Sequence, residues 1–347
     1  MRQGLGSHLW VGLDVGTYSA KLYAVGAGGL GSGPARLAES PIPPRNGAPG
    51  EEPDVARAVG DCLTMAGVSP GSIRGLITGL AGPDVIVKQL QLPWMEDAEV
   101  GQALRFEARK HLPFDPQGMI IDYQIIGRYT SERRLDILLA AVSESRLERH
   151  LAPLRSLGLE PDIIDATPLA LTNAMVTGLD LETESRVALD IGHESSMLSI
   201  YQRGEIYFSR RLPFGGRSIT QAIAEANGIP LDEAEAWKLA GSGMRPTHLL
   251  DWHAPEMRPV LEAVRRDLVD ELRRSFAFYQ TQARLPDPLV IHMCGGTAQL
   301  PLLAERVGEL IGAQVEVFEP PISPAVSTPR RGGPQFAQAY GLSLRIR

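Results

Sequence analysis

Cysteine is almost absent from this sequence: Cys62 and Cys294 are the only two in 347 residues. That excludes a disulfide framework and any cysteine-based zinc spacing, and it fits a reducing cytoplasm. Cys294 stands in an apolar run, where a thiol serves as a small core side chain. Excess positive charge is also lacking. The formal net charge is −7, which gives no support to a nucleic-acid surface. No apolar run reaches the roughly 18–20 residues of a membrane span. The N-terminus does not follow the charged-then-apolar plan of a secretory leader. Any attachment to a membrane must then come through a partner. The histidines, His111 and His292 among them, show no metal-like grouping, and none is assigned to catalysis. One more absence concerns dinucleotides. No G-x-G-x-x-G opens a helix after the first strand, which disfavours a Rossmann site.

What remains is the composition of a soluble globular protein, 44% hydrophobic and 22% charged. The length exceeds a single core's usual size, so two domains or one split pair are expected. The stretch that organises the chain is residues 11–21, Val-Gly-Leu-Asp-Val-Gly-Thr-Tyr-Ser-Ala-Lys. An apolar run leads into Asp14 and Gly16. Hydroxyls follow at Thr17, Tyr18 and Ser19, then Lys21 and a second apolar run. The pattern is strand, tight polar turn, strand. Gly16 keeps Cβ bulk away, so backbone N–H groups can approach a phosphate. Lys21 adds positive charge, and Asp14 suits a hydrated divalent cation. The same residues also suit an ordinary β-turn.

An echo lies far downstream. Residues 187–200 repeat the grammar: apolar run, Asp190, one apolar residue, Gly192, four polar residues, apolar run. Two such hairpins suggest two similar half-domains gripping a triphosphate from both sides, with Asp14 and Asp190 flanking one metal. A third element, Met293-Cys294-Gly295-Gly296-Thr297, runs from a strand into paired glycines before a helix expected from Pro301 to Ile311. Bare backbone at a helix N-terminus could carry ribose or adenine, or could be a simple turn. Glu235 and Lys238 share a helix face and could be a solvated pair. Gly215-Gly216 could be only a turn.

Between these motifs the pattern is mixed α/β. Residues 26–53, rich in Gly and Pro, read as an irregular connection. A helix is expected over 52–66 and a buried strand over 73–80. Residues 85–162 read as a strand–helix–strand–strand–helix unit, taken as an inserted subdomain, with its first helix over 97–111. The longest helical pattern covers 257–282. The expected division is a first lobe over 8–84 and 163–185, the insertion at 85–162, and a second lobe over 186–216 and 288–347. The second lobe carries a helical subdomain at 217–287.

The three glycine motifs in this order resemble the phosphate and adenosine elements of the actin/Hsp70/hexokinase superfamily. Within it the chain is similar to the PilM family of type IV pilus assembly, itself related to FtsA. The resemblance rests on Val15-Gly16-Thr17 with Lys21, Lys88-Gln89-Leu90-Gln91-Leu92-Pro93, and Arg105-Phe106-Glu107-Ala108 with Leu112-Pro113-Phe114. It continues with Pro213-Phe214-Gly215-Gly216, Glu233-Ala234-Glu235-Ala236-Trp237-Lys238, Gly295-Gly296-Thr297-Ala298 and Ala339-Tyr340-Gly341-Leu342.

The fold it implies is α/β: duplicated mixed-sheet lobes of the actin/Hsp70 (ribonuclease H-like) type with an inserted FtsA/PilM-type small subdomain. It implies ATP and Mg²⁺ as ligands. Gly16, Thr17, Tyr18, Lys21 and Gly192 would line the phosphates, and Asp14 and Asp190 would hold Mg²⁺ mainly through water. Gly215, Gly216, Glu235, Lys238, Gly295, Gly296 and Thr297 would hold ribose and adenine.

The implied role is a cytoplasmic scaffold, peripheral to the inner membrane. It would dock the N-terminal cytoplasmic peptide of a PilN-type protein near the insertion and meet other pilus machinery, with self-association as a further option. Three other readings stay open here: a GspL-type secretion adaptor, a small-molecule kinase of the superfamily, and a polymerising filament.

Two residues depart from the family pattern. His193 and Glu194 follow the second Asp-x-Gly, where relatives carry small or hydroxylated residues, and a carboxylate there would repel phosphate unless it turns outward or pairs. Thr167 stands where relatives often have Glu or Gln, and threonine is a poor base at neutral pH. Slow or absent hydrolysis is the expectation.

Overall fold

The computed structural model describes residues 8–26, 35–45, 52–82, 85–111, 118–178, 186–202, 205–239, 257–283, 290–321 and 332–345. Strand β1 (Leu9–Val15) turns back into β2 (Ser19–Gly26), with Asp14 opposite Lys21 across the ladder. Both strands are apolar on both faces and both are almost wholly buried, as befits a sheet covered on either side. A third strand, β3 (Arg36–Pro41), pairs antiparallel with β2 and sets Glu39 opposite Lys21. The irregular connection expected over 26–53 therefore contains an edge strand. Arg-Leu-Ala-Glu-Ser has little intrinsic β preference, and Pro41 ends it; the ladder with β2 makes it a strand.

Helix α1 (Val55–Ala66) follows, its start fixed by Asp54, whose carboxylate accepts from Arg57 N at 3.0 Å. Gly67, at φ +62°, ends it. Its buried face, Ala58, Val59, Cys62 and Leu63, packs with Val11, Leu22 and Leu76 of the sheet. Strand β4 (Ile73–Leu80) then lies parallel to β1.

A separate antiparallel sheet comes next, of order β5-β7-β6, from β5 (Ile86–Pro93), β6 (Met119–Tyr129) and β7 (Arg134–Ser143). Helix α2 (Asp97–His111) covers it, and Leu90, Leu92, Val100, Leu104, Leu135, Ile137 and Leu139 form a core of their own. Ser143 caps α3 (Glu144–Ser156), accepting from Arg146 N at 3.3 Å. Leu154 of α3 belongs to the core around α1 and β1, so this helix joins the small sheet to the first large one. Strand β8 (Ile163–Ala166) and helix α4 (Thr167–Gly178) complete that half.

The second half repeats the plan. Strands β9 (Arg186–Ile191), β10 (Ser196–Gln202) and β11 (Glu205–Leu212) run antiparallel in turn. Helices α5 (Gly216–Asn227), α6 (Leu231–Leu239), α7 (Arg258–Ala263) and α8 (Asp270–Ala283) follow. Then come β12 (Val290–Cys294), α9 (Leu303–Ile311), β13 (Gln314–Val317) and α10 (Ala337–Ser343). The two five-stranded sheets have orders β3-β2-β1-β4-β8 and β11-β10-β9-β12-β13. In each, the first three strands are antiparallel and the last two join in parallel.

Two helical expectations change. The long helix over 257–282 is broken by a π-helical segment, Val264–Val269, between α7 and α8. The widened turn lets Val264, Leu268 and Val269 all face the core. Helix α9 starts at Leu303, not Pro301, because Leu302 is left-handed at φ +62°. Only a four-residue 3₁₀ turn, Gly296–Gln299, follows the glycine pair, so the dipole of α9 does not point from it.

Between the sheets lie α4 and α10. Their Leu171, Ala174, Ala339 and Tyr340 pack with Tyr23 of one half and Ala188 and Tyr201 of the other. Backbone contact is close enough to demand glycine twice. A Cβ on Gly341 would strike the Ala170 carbonyl, and one on Gly12 would strike that of Ala339. Among the described residues, no helix is long and apolar enough to cross a membrane.

Candidate functional site

The two hairpin turns are built alike. Gly16 N donates to Ser19 O at 3.1 Å, and Gly192 N donates to Ser195 O at 3.1 Å. The space for a Cβ is tight at both glycines, from the same carbonyls. The tips meet across the cleft, where the Tyr18 and His193 rings stand 4.9 Å apart. Thr17 is exposed at the tip of the first turn.

Behind the turns lies a buried charge centre. Asp14 and Lys21 face each other across the β1–β2 ladder with Lys21 Nζ 3.4 Å from Asp14 Oδ2. Burial alone would lower the Lys21 pKa, but Asp14, Glu39 and Asp190 outweigh it and hold the ammonium above its ordinary value. Asp190 is the counterpart carboxylate at the end of β9. Burial pushes it up to about 6; Asp14 adds to that rise, while Lys21 and a hydrogen bond from Gln338 oppose it. The two carboxylates thus share one electrostatic centre, as the echo in the sequence suggests. Gln338 on α10 has no counterpart in the motifs and was not foreseen. Glu39 is the other unforeseen member. It accepts from Ser19 Oγ at 2.7 Å.

The remaining predicted residues gather against the second turn. Gly192 O accepts from Gly216 N at 2.9 Å and from Thr297 Oγ1 at 2.8 Å. A Cβ on Gly215 would collide with the His193 backbone, and one on Gly216 would press on Thr297 Oγ1. Lys238 is buried, donating to Glu235 Oε2 at 2.7 Å, Thr220 Oγ1 at 2.8 Å and Gly216 O at 3.0 Å. Burial lowers its pKa and Glu235 partly restores it. The pair is thus a partly buried bridge tied to the glycine turn, not a solvated one. Gly295, at φ +91°, lies so near Asp190 Oδ1 and Ile191 O that a side chain there would displace both. Gly296 is exposed with open space over its Cα.

The two departures have structural answers. Glu194 turns outward, half exposed, with Arg217 Nη1 3.8 Å from its carboxylate. Thr167 is buried and its hydroxyl donates to Leu80 O at 3.0 Å, so it is engaged by the backbone.

Two sheets of one topology, a hairpin turn from each meeting over a buried acid pair, and two helices between them define an actin-like ATPase fold. The chain belongs to the family described as type IV pilus assembly protein PilM, whose model matches residues 12–347. Membership of this family does not favour the kinase or GspL-type readings.

The solved PilM-PilN type IV pilus biogenesis complex is similar at 27% identity and TM-score 0.77, covering 96% of this chain and 97% of that one. The ethanolamine utilization protein EutJ from Carboxydothermus hydrogenoformans shares the fold at 16% identity and TM-score 0.56, covering 97% of this chain and 89% of that one. Cell division protein FtsA of Neisseria meningitidis serogroup B (strain ATCC BAA-335 / MC58) is 28% identical over 203 residues, 53% of this chain and 48% of that protein. The chain thus spans about half the length of the curated relative it matches.

Proposed function

We propose that the cleft binds ATP with Mg²⁺ and that the inserted sheet docks the N-terminal cytoplasmic peptide of a PilN-type inner-membrane protein. The chain would thereby be held at the cytoplasmic face of the inner membrane, as a scaffold that hydrolyses ATP slowly or not at all. The observation that carries the nucleotide half is the matched pair of glycine turns over Asp14 and Asp190. The donor set fits Mg²⁺. Mg²⁺ takes one or two carboxylates and completes its shell with water and phosphate oxygens, so it does not need a three-residue cage. No such cage exists among the described residues. When bound, the ion supplies positive charge against the phosphates. Lys21, on β2 behind the first turn and paired with Asp14, would add positive charge toward the phosphates. The backbone N–H groups of the turns orient them, and the Glu235–Lys238 bridge lines the nucleoside end. Thr167, spent on the Leu80 carbonyl, leaves no base at that position to activate water.

The partner half rests on the insertion. A cavity of about 660 Å³ lies between α2 and β6, lined by Gly101, Arg105, Phe106, Ile121 and Tyr123 among others. Phe106 is 64% exposed there. An apolar side chain displayed beside a cavity is the anchor an extended peptide tail needs. That the neighbouring solved structure is a complex of PilM with PilN supports this choice of partner. Calorimetric titration of the pure protein with Mg-ATP, then with a synthetic partner tail, tests both halves. Saturable binding of each is expected. No heat from either would end the proposal, and phosphate release on the order of 1 s⁻¹ would end the claim of slow turnover.

A further inference from the structure

His193 carries no role in the motifs, yet it occupies the tip of the second turn, facing the first. Its ring lies 4.9 Å from that of Tyr18, tilted by 34°. The backbone around it is fixed. His193 O accepts from Arg217 N at 2.7 Å, and Gly215 packs so close to the His193 carbonyl that only a glycine fits there.

The charges nearby are already matched in pairs. Glu194 is drawn outward by Arg217, and Lys238 is held by Glu235. Among the described residues, the His193 ring has no hydrogen-bond partner of its own. A ring nitrogen without a protein partner, on a turn that faces the opposite turn across the cleft, is placed to meet what enters that cleft.

We propose that His193 is a proton-dependent ligand of the nucleotide phosphates, and that the Tyr18–His193 ring contact closes the cleft mouth until they arrive. The inference rests on the nucleotide reading above.

The groups facing the ring are Tyr18 from the opposite turn, Glu235 and Lys238 from α6, Glu194 beside it and Arg217 from α5. Burial lowers the His193 pKa, Lys238 and Arg217 lower it further, and Glu235 and Glu194 work against them. The imidazole is therefore neutral in the free protein at neutral pH. Phosphate oxygens beside it reverse the balance, because an adjacent anion favours the charged form. Binding then takes up a proton, and affinity falls as pH rises from the pKa of the free protein to that of the liganded state, levelling off above it. A neutral ring that stacks on Tyr18 becomes a cationic donor that parts from it.

Titration of the full chain with Mg-ATP, in buffers of different ionisation heat and between pH 6.5 and 8.5, tests this. Proton uptake approaching one per nucleotide is expected, with affinity falling by up to roughly tenfold per pH unit. H193Q should bind more weakly at pH 6.5 and show neither slope nor uptake. H193K should restore affinity and be flat with pH, because its charge is permanent over this range. Tight, pH-independent binding by the wild-type protein would overturn the role of His193 and leave the nucleotide reading standing. No Mg-ATP binding at any pH would overturn both. If H193Q fails to fold, wild-type uptake together with the flat profile of H193K carries the decision.

Discussion

Gln338, on the last helix, donates its side-chain amide to Asp190, at the end of the strand that begins the second sheet. This bond and Lys21 are what the buried carboxylate has in place of water. They do not fully replace it, since the Asp190 pKa still rises to about 6.

The consequence for stability has a definite sign. The folded protein favours protonated Asp190, so its contribution is greatest below the ordinary carboxylate pKa and is lost as pH rises from about 4 through about 6. Asp190→Asn should stabilise the nucleotide-free protein at pH 7.5 by on the order of 2 kcal/mol. It should also abolish Mg-ATP binding. Urea unfolding with and without Mg-ATP reads both effects, and a less stable variant would contradict the first.

His150 acts in the opposite direction. Thr78 gives its hydroxyl proton to Leu13 O at 3.1 Å, so at 2.8 Å it accepts from His150 Nε2–H, which fixes a neutral tautomer. Burial, with Arg146 nearby, lowers its pKa to about 4. Its contribution is intact above pH 6.5 and lost as pH falls toward 4. Because this window overlaps that of Asp190, the two contributions oppose each other in the wild-type protein. His150→Gln should remove an acid-side loss on the order of 2 kcal/mol, seen by comparing unfolding midpoints of the two proteins at pH 7.5 and 4.5.

Gly12→Ala puts a methyl into the Ala339 carbonyl and close to Ser343 N. Helix α10 cannot retreat without breaking its contacts on β1 and α4. A loss of about 3 kcal/mol or more is expected, with little soluble protein at 37 °C. Gly71→Ala is the control, for nothing lies within 4 Å of its Cβ position. Thermal unfolding separates them.

Phe106→Ala should leave the unfolding temperature nearly unchanged, because the side chain is 64% exposed. If Phe106 anchors the partner tail, the same change should weaken peptide binding by roughly 30-fold. Equal affinity for wild type and variant would move the docking surface elsewhere.

Much of the site was readable because its parts are local. The Asp-x-Gly turns at 14–16 and 190–192 carry their geometry within six residues, and the structure gives them the same closing bond. Helix α2 was legible over its full span because its apolar spacing and Pro113 bracket it. What escaped is what depends on distant partners. Strand β3 exists through its ladder with β2, and Gln338 matters only because α10 returns to the second sheet. The start of α9 was misplaced because Leu302 adopts a left-handed conformation that a leucine gives no hint of.

Helix α10 packs on β1 and α4 while Gln338 reaches across to Asp190. The amino-terminal sheet, although translated first, therefore stays uncovered on one side until Ala337–Ser343 has left the ribosome. During synthesis that face, with Gly12 of β1 and Ile77 of β4, waits for its cover. A premature stop before this helix should yield insoluble chain, not a working half.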